Sequence, residues 1–265
     1  MQSYHDVTVE VGGIAIALHT RSAALVGLLE HRFRRFLNPS AIPDCEFDIT
    51  VVADSEPDEE SDLTVEQRDG CWFLRRGDFR AEWDSAARRG RIWQTLNPYG
   101  IDSILRIVHT LVLSSEGGFL LHASSAIRDG RAYVFTGPSG AGKSTIVSLA
   151  PDDVTVLTDE ISYVRRTPQG YVAFGTPFAG ELSDSGEPAS APVAALFRLD
   201  HAEENRHQRL DSADTVRTLM RNILFFTHDR RLVDGVLDTA CDFASRVPAY
   251  TLHFSPDPRV WNTLG

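Results

Sequence analysis

The feature that most constrains this chain is a glycine-rich octapeptide, Gly137-Pro138-Ser139-Gly140-Ala141-Gly142-Lys143-Ser144. It matches the pattern G-x-x-x-x-G-K-[ST], and it lies between an apolar segment with strand character, residues 132–135, and a stretch compatible with a helix, residues 145–149. Backbone N–H groups converge on anionic oxygens only if the loop adopts dihedral angles and close approaches that glycine permits. The octapeptide and its flanks therefore predict a P-loop, also called a Walker A motif, between a strand and a helix.

A P-loop of this kind binds nucleotide phosphates, and the motif assigns a task to each part of it. Lys143 is expected to reach the β- and γ-phosphates, and the Ser144 hydroxyl is expected to bind Mg²⁺. ATP and Mg²⁺ are thus the expected cofactors. The predicted nucleotide-binding residues are Gly137, Pro138, Ser139, Gly140, Ala141, Gly142, Lys143, Ser144 and Thr145. A glycine-rich turn that binds nothing is the alternative, and the strand and helix around the motif argue against it.

A pair of carboxylates follows the P-loop at short range. The apolar segment 154–157, which has strand character, leads into Asp159 and Glu160. Mg²⁺ takes hard oxygen ligands, commonly one or two carboxylates together with phosphate, and a carboxylate can also deprotonate a hydroxyl. We therefore predict Ser144, Asp159 and Glu160 as metal ligands; the alternative is two acids that face solvent where a strand meets a loop. The short distance from Lys143 disfavours motor, transport and AAA-type ATPases, in which the acidic pair normally lies much further downstream.

The P-loop, the two acids and the residues in front of them together resemble a known family. His122-Ala123 leads into a strand-like segment, Asp129-Gly130 predicts a turn, and residues 131–136 lead into the P-loop. This arrangement resembles the catalytic domain of HPr kinase/phosphorylase and its relatives, which include serine-kinase-like proteins and peptide-tailoring kinases such as those that modify lasso-peptide precursors. The resemblance covers residues 118–178 and is weaker towards the C-terminus. It implies a mixed sheet with a P-loop, of the phosphoenolpyruvate-carboxykinase type, rather than a doubly wound parallel sheet.

The resemblance also implies roles for individual residues. Asp159 matches the catalytic acidic residue that activates an acceptor serine, and Glu160 matches a metal-binding carboxylate. His122 matches the histidine that precedes the P-loop strand, although by itself it would be interpreted as a hydrogen-bonded core histidine. The predicted catalytic residues are Asp159, Lys143 and His122. HPr kinases follow their acids with a Glu-x-Arg-Gly-x-Gly motif that residues 170–181 lack, so neither reverse phosphorolysis nor HPr as a substrate is expected.

Hydrophobic patterning divides the chain into two predicted lobes, residues 1–116 and residues 117–265. The first contains several short alternating segments separated by turn signals and one amphipathic helical stretch, which predicts a β-rich lobe. This lobe does not resemble the usual N-terminal domain of HPr kinases, and a part in substrate recognition is expected for it. The second mixes strands and helices around the P-loop and is the predicted catalytic domain, so the predicted class is α+β, that is, mixed α/β. Residues 54–62 are predicted as a solvated acidic loop. Residues 175–192 are predicted either as a lid that orders over substrate or as a plain connector.

Net charge, apolar content and cysteine spacing indicate the kinds of partner and the compartment to expect. The formal net charge of -11, from 26 Lys and Arg against 37 Asp and Glu, argues against nucleic acid or an anionic membrane as a partner. No stretch reaches the roughly 18 apolar residues of a membrane span, and the N-terminus lacks the pattern of a signal peptide. Cys45, Cys71 and Cys241 lack the spacing of zinc or dithiol sites and are predicted as buried residues in a reducing compartment. A cytoplasmic protein is expected.

The motifs and the resemblance together predict an ATP-dependent kinase that transfers the γ-phosphoryl group to a hydroxyl, in the first place a serine of a protein or peptide. Arg165, Arg166 and Arg198 are candidates for neutralising charge on the moving phosphoryl group, with ordinary surface arginines as the alternative. A homo-oligomer is compatible with the resemblance, because the related enzymes assemble. Three other functions stay open: a small-molecule kinase with the same P-loop site, an ATPase switch without an acceptor, and a nucleotide-binding scaffold that has lost catalysis.

Overall fold

The computed structural model describes residues 4–53, 62–178, 180 and 186–264. The chain divides into two compact units, residues 1–108 and residues 109–265, and each unit contains a sheet with both parallel and antiparallel pairs. The predicted α+β class is therefore confirmed. The predicted boundary after residue 116 and the part of the first lobe in substrate recognition stay predictions. Among the described residues, no helix is long and apolar enough to cross a membrane.

The described part of the first unit is a seven-stranded sheet with one helix packed on it. Its elements are β1 (His5–Val11), β2 (Ile14–Thr20), α1 (Ala23–Phe33), β3 (Cys45–Val51), β4 (Thr64–Arg68), β5 (Cys71–Arg76), β6 (Phe79–Asp84) and β7 (Arg89–Gln94). The strand order is β1-β2-β3-β7-β6-β5-β4, with β3 parallel to both of its neighbours. The hairpin β1–β2 and the antiparallel run β4 to β7 form as predicted. Strands β1, β5 and β6 bury alternate residues on one face, whereas β2 is buried along most of its length and β4 is largely exposed. Helix α1 buries Leu25, Leu29 and Phe33, one stripe at helical spacing.

The second unit contains the predicted motifs. Helix α2 (Pro98–Glu116) begins in the first unit and leads into it. The further elements are β8 (Gly118–Arg128), β9 (Arg131–Thr136), α3 (Lys143–Ser148), β10 (Thr155–Thr158), β11 (Ile161–Thr167), β12 (Gly170–Phe174), β13 (Ser190–His201), β14 (Arg206–Arg209), α4 (Ser212–Asn222), α5 (Arg230–Arg246), β15 (Ala249–Phe254) and a 3-10 helix (Pro258–Thr263). Within the described residues the strands form one eight-stranded sheet. Its core includes fully buried aromatic side chains, among them Phe119, Phe135, Phe243 and Trp261.

Strand β8 positions the two predicted motifs. It pairs antiparallel with β9 on one side and with β10 on the other, so β9 and β10 run in the same direction. β9 ends at Thr136, opposite Ala123, and β10 ends at Thr158, opposite Ser125. Because both strands end against neighbouring residues of β8, the loops that follow them begin at the same edge of the sheet.

The central strand β13 is the main difference from the predicted elements. Ser190–Pro192 lie in the stretch 175–192, which was predicted to be irregular, and the following residues show an apolar run instead of alternation. The physical reason is that β13 lies between parallel strands, β9 and β15, and a strand with such neighbours is buried on both faces. Residues 179 and 181–185 of that stretch, and residues 54–61 of the predicted acidic loop, lie outside the described residues.

The three cysteines differ in exposure. Cys45 is buried as predicted, Cys71 is half-buried, and Cys241 is exposed. The prediction of a buried residue is wrong for Cys241 because α5 turns a single face to the core, represented by Val236 and Phe243, and position 241 lies off that face.

One histidine of the second unit, His109, is fully buried among aromatic side chains. The ring of His109, on α2, packs against the edges of Tyr163 and Phe178, with centroid distances of 5.5 and 6.4 Å. Within the described residues its two ring nitrogens have no hydrogen-bond partner. Burial disfavours the charged form and lowers the pKa of His109 from 6.5 to about 3.

We expect the free energy of unfolding to fall as the pH drops below 6.5, the ordinary pKa of the His109 side chain. Below pH 6.5 the His109 side chain is protonated in the unfolded chain, whereas in the folded chain it stays neutral down to about pH 3. The free energy of unfolding therefore decreases by about 1.4 kcal/mol per pH unit between pH 6.5 and pH 3. In urea titrations at pH 7 and pH 5, His109→Phe should lose about 2 kcal/mol less than the wild type between the two conditions. His228→Asn, at an exposed position, serves as the control, and an unchanged pH dependence in His109→Phe would contradict the prediction.

Candidate functional site

The predicted catalytic and metal-binding residues line one cleft in the second unit. It has a volume of about 500 Å³. The side chains or backbone that line it come from β8, the P-loop, the turn after β10 and the segment after β12: His122, Ser139, Gly140, Gly142, Lys143, Ser144, Thr145, Asp159, Glu160 and Gly180. Of the remaining predicted nucleotide-binding residues, Gly137 and Pro138 line a second cleft, and Ala141 is buried. The structure thus brings all three predicted catalytic residues and all three predicted metal ligands to one place.

Three consecutive residues of β8, His122, Ala123 and Ser124, connect this edge of the sheet to the P-loop and the acidic turn. The carbonyl of His122 accepts a hydrogen bond from Thr136 Oγ1 at 3.0 Å, which fixes the end of β9. The Ser124 hydroxyl donates to the carbonyl of Lys143 at 2.8 Å and fixes the start of α3. The backbone N–H of Ala123 donates to the carbonyl of Glu160 at 2.9 Å. The P-loop and the acidic turn are therefore attached to the same strand by hydrogen bonds.

Two glycines of the P-loop adopt a backbone conformation that requires glycine, as predicted. Gly140 and Gly142 have φ values of +78° and +95°, a region that residues with a Cβ rarely adopt. At Gly142 a Cβ would also lie 2.6 Å from the Phe254 ring. The side chain of Lys143 is 8% exposed, and its Nζ donates to the carbonyls of Gly137 and Pro138 at 3.1 Å each. The only ammonium group of this loop therefore lies inside the loop itself, against its first two residues.

The acidic turn after β10 is equally well fixed. Asp159 is 4% exposed, and its Oδ1 accepts a hydrogen bond from the backbone N–H of Gly180 at 2.9 Å. Thr158 Oγ1 accepts hydrogen bonds from the backbone N–H groups of Glu160 and Ile161, each at 3.3 Å. A side chain at position 180 would meet Glu160, since a Cβ there would lie 2.9 Å from its Cβ. The segment that follows β12 thus orients the carboxylate of Asp159, and the Thr158 side chain fixes the backbone of the turn.

Several residues near the cleft were not predicted from the sequence. Ser124 is one of two adjacent serines on β8, and nothing in the sequence distinguishes it from Ser125. His201, at the end of β13, donates through Nε2 to the carbonyl of Gly140 at 2.9 Å and stacks on Phe254 at a centroid distance of 5.9 Å. Gly180 belongs to the stretch for which the sequence offered no periodicity. These residues reach the P-loop and the acids only through long-range folding, so no local pattern could reveal them.

The three candidate arginines lie in different places. Arg165 forms an ion pair with Glu116 at 2.9 Å, and Arg166 lies 3.6 Å from Asp242. Neither is among the described residues that line the cleft, so the interpretation as surface arginines holds for both in this structure. Arg198 lines the second cleft, beside Gly137 and Pro138.

Two buried serines of β8 allow a matched test of how the P-loop is held. Ser124 and Ser125 are both fully buried, but only the Ser124 hydroxyl bonds to the P-loop helix; within the described residues Ser125 Oγ has no hydrogen-bond partner. We expect Ser124→Ala to lower the free energy of unfolding by about 1 kcal/mol, because a net hydrogen bond is lost. Ser125→Ala should be neutral or stabilising, because it removes a buried hydroxyl without a partner. Urea titrations of both variants check this, and equal losses would refute it.

The donor set of the cleft fits a magnesium nucleotide. The Ser144 hydroxyl and the carboxylates of Asp159 and Glu160 are hard oxygen donors in one cleft, and Mg²⁺ commonly takes one or two carboxylates together with phosphate oxygens. The P-loop provides backbone donors and the Lys143 ammonium for the phosphates themselves. The cleft therefore contains groups that can bind phosphate, groups that can hold a metal ion, and a buried carboxylate that can accept a proton.

Comparisons with known proteins give one family. The family model described as SynChlorMet cassette protein ScmC matches residues 94–265, well over half of the chain and the whole of the site described above. The solved structure of the HPr(Ser) kinase/phosphatase from Coxiella burnetii is similar at 14% identity; the match covers 45% of this chain and 93% of that chain, with a TM-score of 0.29. No curated protein matches the sequence. The chain belongs to the SynChlorMet cassette protein ScmC family.

Proposed function

We propose that this protein is an ATP-dependent kinase that transfers the γ-phosphoryl group to a hydroxyl, namely a serine of a protein or peptide. The observation that carries the proposal is the shared edge of the sheet at β8, where the P-loop after β9 and the acids after β10 line one cleft. Catalysis of phosphoryl transfer consists mainly of positioning and charge stabilisation, and a phosphate-binding loop and a carboxylate within one site supply both. The serine as acceptor rests on the resemblance to HPr-kinase-like serine kinases.

In this proposal each residue of the cleft has a defined task. Lys143 leaves the carbonyls of Gly137 and Pro138 and stabilises the charge that develops on the phosphoryl oxygens. Asp159 accepts the proton of the acceptor hydroxyl while the new oxygen–phosphorus bond forms and the bond to the leaving diphosphate breaks. The hydrogen bond from Gly180 N–H keeps the Asp159 carboxylate oriented towards the cleft.

The other residues bind and align. The backbone of residues 137–145 surrounds the phosphates, and Ser144, Asp159 and Glu160 would hold Mg²⁺, which supplies additional positive charge to the phosphate oxygens. His122 lines the cleft from β8 and is proposed to contact the reacting groups. Residues 117–265 would form the catalytic domain, and residues 1–116 would take part in acceptor recognition.

The decisive experiment is incubation of the purified chain with γ-labelled ATP, Mg²⁺ and two sets of acceptors. One set contains proteins and peptides encoded next to its gene, and the other contains small hydroxyl metabolites. Label in a protein or peptide, located on serine by mass spectrometry, supports the proposal. Label in a metabolite would identify a small-molecule kinase, and phosphate release without a labelled acceptor would identify an ATPase switch. Calorimetry that detects no binding of magnesium nucleotide would end the proposal.

A further inference from the structure

A second cleft adjoins the P-loop and has no task in the mechanism above. It has a volume of about 400 Å³. It is formed where the first two P-loop residues meet strand β13 and one face of helix α4, and its charged residues are Arg198, Asp214, Arg217 and Arg221. All of them belong to the second unit.

The geometry of α4 and β13 brings these side chains together. On α4, Arg217 follows Asp214 by three residues and Arg221 follows Arg217 by four. Residues at these spacings share one face of a helix. Arg198 is opposite Thr136 in the pairing of β13 with β9, so it sits beside the residue that precedes the P-loop. Its Nη2 donates to Thr251 Oγ1 at 2.8 Å, which orients the guanidinium group.

The charge of this cleft is opposite to that of the chain. Three guanidinium groups line it against one carboxylate, and that carboxylate, of Asp214, already accepts a hydrogen bond from Arg217 at 2.6 Å. The chain as a whole carries a formal net charge of -11. A concave site with excess positive charge in an acidic protein attracts an anionic ligand, and the planar guanidinium fork matches the geometry of a carboxylate or a phosphate.

The position of the cleft indicates which anion it serves. The ammonium of a P-loop lysine contacts the β- and γ-phosphates, and here the Lys143 ammonium lies against the carbonyls of Gly137 and Pro138. Those two residues also line the second cleft, so this cleft adjoins the start of the P-loop. The acceptor hydroxyl must approach the γ-phosphoryl group from the side opposite the leaving diphosphate, and a cleft beside the P-loop lies close to the phosphate site.

We propose that the cleft formed by Arg198, Arg217 and Arg221 binds an acidic side chain of the protein or peptide acceptor, next to the hydroxyl that is phosphorylated. This inference rests on the proposed kinase function and names its substrate class: serine segments flanked by aspartate or glutamate. Arg217 pairs with Asp214 inside the cleft, which leaves an excess of two guanidinium groups, and the phosphates of the nucleotide have their own donors in the first cleft.

The test measures binding and needs no phosphoryl transfer. A fluorescently labelled serine peptide flanked by aspartates, and the same peptide with asparagine at each aspartate, are titrated with the full chain in the presence of Mg²⁺ and a non-hydrolysable ATP analogue. The wild type should bind the aspartate peptide at least about tenfold more tightly, since charge-assisted hydrogen bonds are at stake. The preference should disappear in Arg217→Gln/Arg221→Gln and persist in Arg230→Gln, a control on α5 whose side chain is 94% exposed.

Two results would overturn this inference. One is the absence of any preference for the aspartate peptide in the wild type, or its persistence in the double variant. The other is a loss of nucleotide affinity in the double variant, because the cleft would then belong to the nucleotide. Failure of the kinase function itself shows in a different assay, as absence of label transfer from γ-labelled ATP, so the two failures are distinguishable.

Discussion

Asp159→Asn is expected to reduce the rate of phosphoryl transfer by about 10²- to 10⁴-fold, the range that a general base contributes. The substitution keeps the shape of the side chain and an oxygen that can accept the hydrogen bond from Gly180 N–H. It removes the negative charge that takes the acceptor proton. The affinity for magnesium nucleotide should change less than the rate, because the P-loop backbone, Lys143 and the other two proposed metal ligands, Ser144 and Glu160, are left intact. Initial rates with γ-labelled ATP and calorimetric titration with a non-hydrolysable analogue provide the two readouts.

Asp153→Asn is the matched control for this experiment. Asp153 lies shortly before β10, its side chain is 55% exposed, and its contact is a surface ion pair with Arg128 at 2.9 Å. Such pairs contribute little to stability, about 0 to 1 kcal/mol, so the rate should stay near that of the wild type. If Asp159→Asn transferred phosphate at an undiminished rate, Asp159 would not be the base, and the proposed mechanism would have to be abandoned.

Lys143→Met is expected to lower the transfer rate by about 10²- to 10³-fold, as is typical when one preorganised donor to developing charge is removed. Unlike Asp159→Asn, it should also weaken nucleotide binding, because the ammonium is expected to contact the phosphates in the bound state as well as during transfer. The buried position of Lys143 means that its loss leaves the carbonyls of Gly137 and Pro138 without this donor. A moderate loss of stability, measured by urea titration, is therefore part of the expected result.

The sequence offers a direct way to check the place of Lys143, because it is the only lysine of the chain. An ATP analogue with a reactive acyl phosphate should acylate this single ε-amine, and an excess of ATP should prevent the labelling. Arg131→Met, which removes an exposed positive charge at the start of β9, is the control and should leave both labelling and transfer unchanged. Labelling that ATP does not block would show that the lysine lies outside the nucleotide site.

Much of the local structure follows from the sequence alone, because it depends on neighbours along the chain. The order strand, P-loop, helix was predicted from residues 132–149, and the structure has β9, the loop and α3 in that order. Alternation of apolar and polar residues predicted the hairpin of β1 and β2 and the antiparallel strands β4 to β7. The acids at 159 and 160 were predicted to follow a strand, and they follow β10. The roles of these residues in binding and catalysis remain predictions.

What only the tertiary structure decided is which distant residues meet. The sequence contains no signal that strand β13 lies parallel to β9, because a strand with parallel neighbours loses the alternation that reveals an exposed face. The approach of Gly180 to Asp159, and of Arg217 and Arg221 to the start of the P-loop, depends on this pairing and on the packing of α4. Periodicity in the sequence indicates only contacts between residues a few positions apart. The cleft, in contrast, is formed by segments that lie tens of residues apart in the chain. The sequence therefore determined the chemistry available to this protein, and the sheet decided which of those groups share a site.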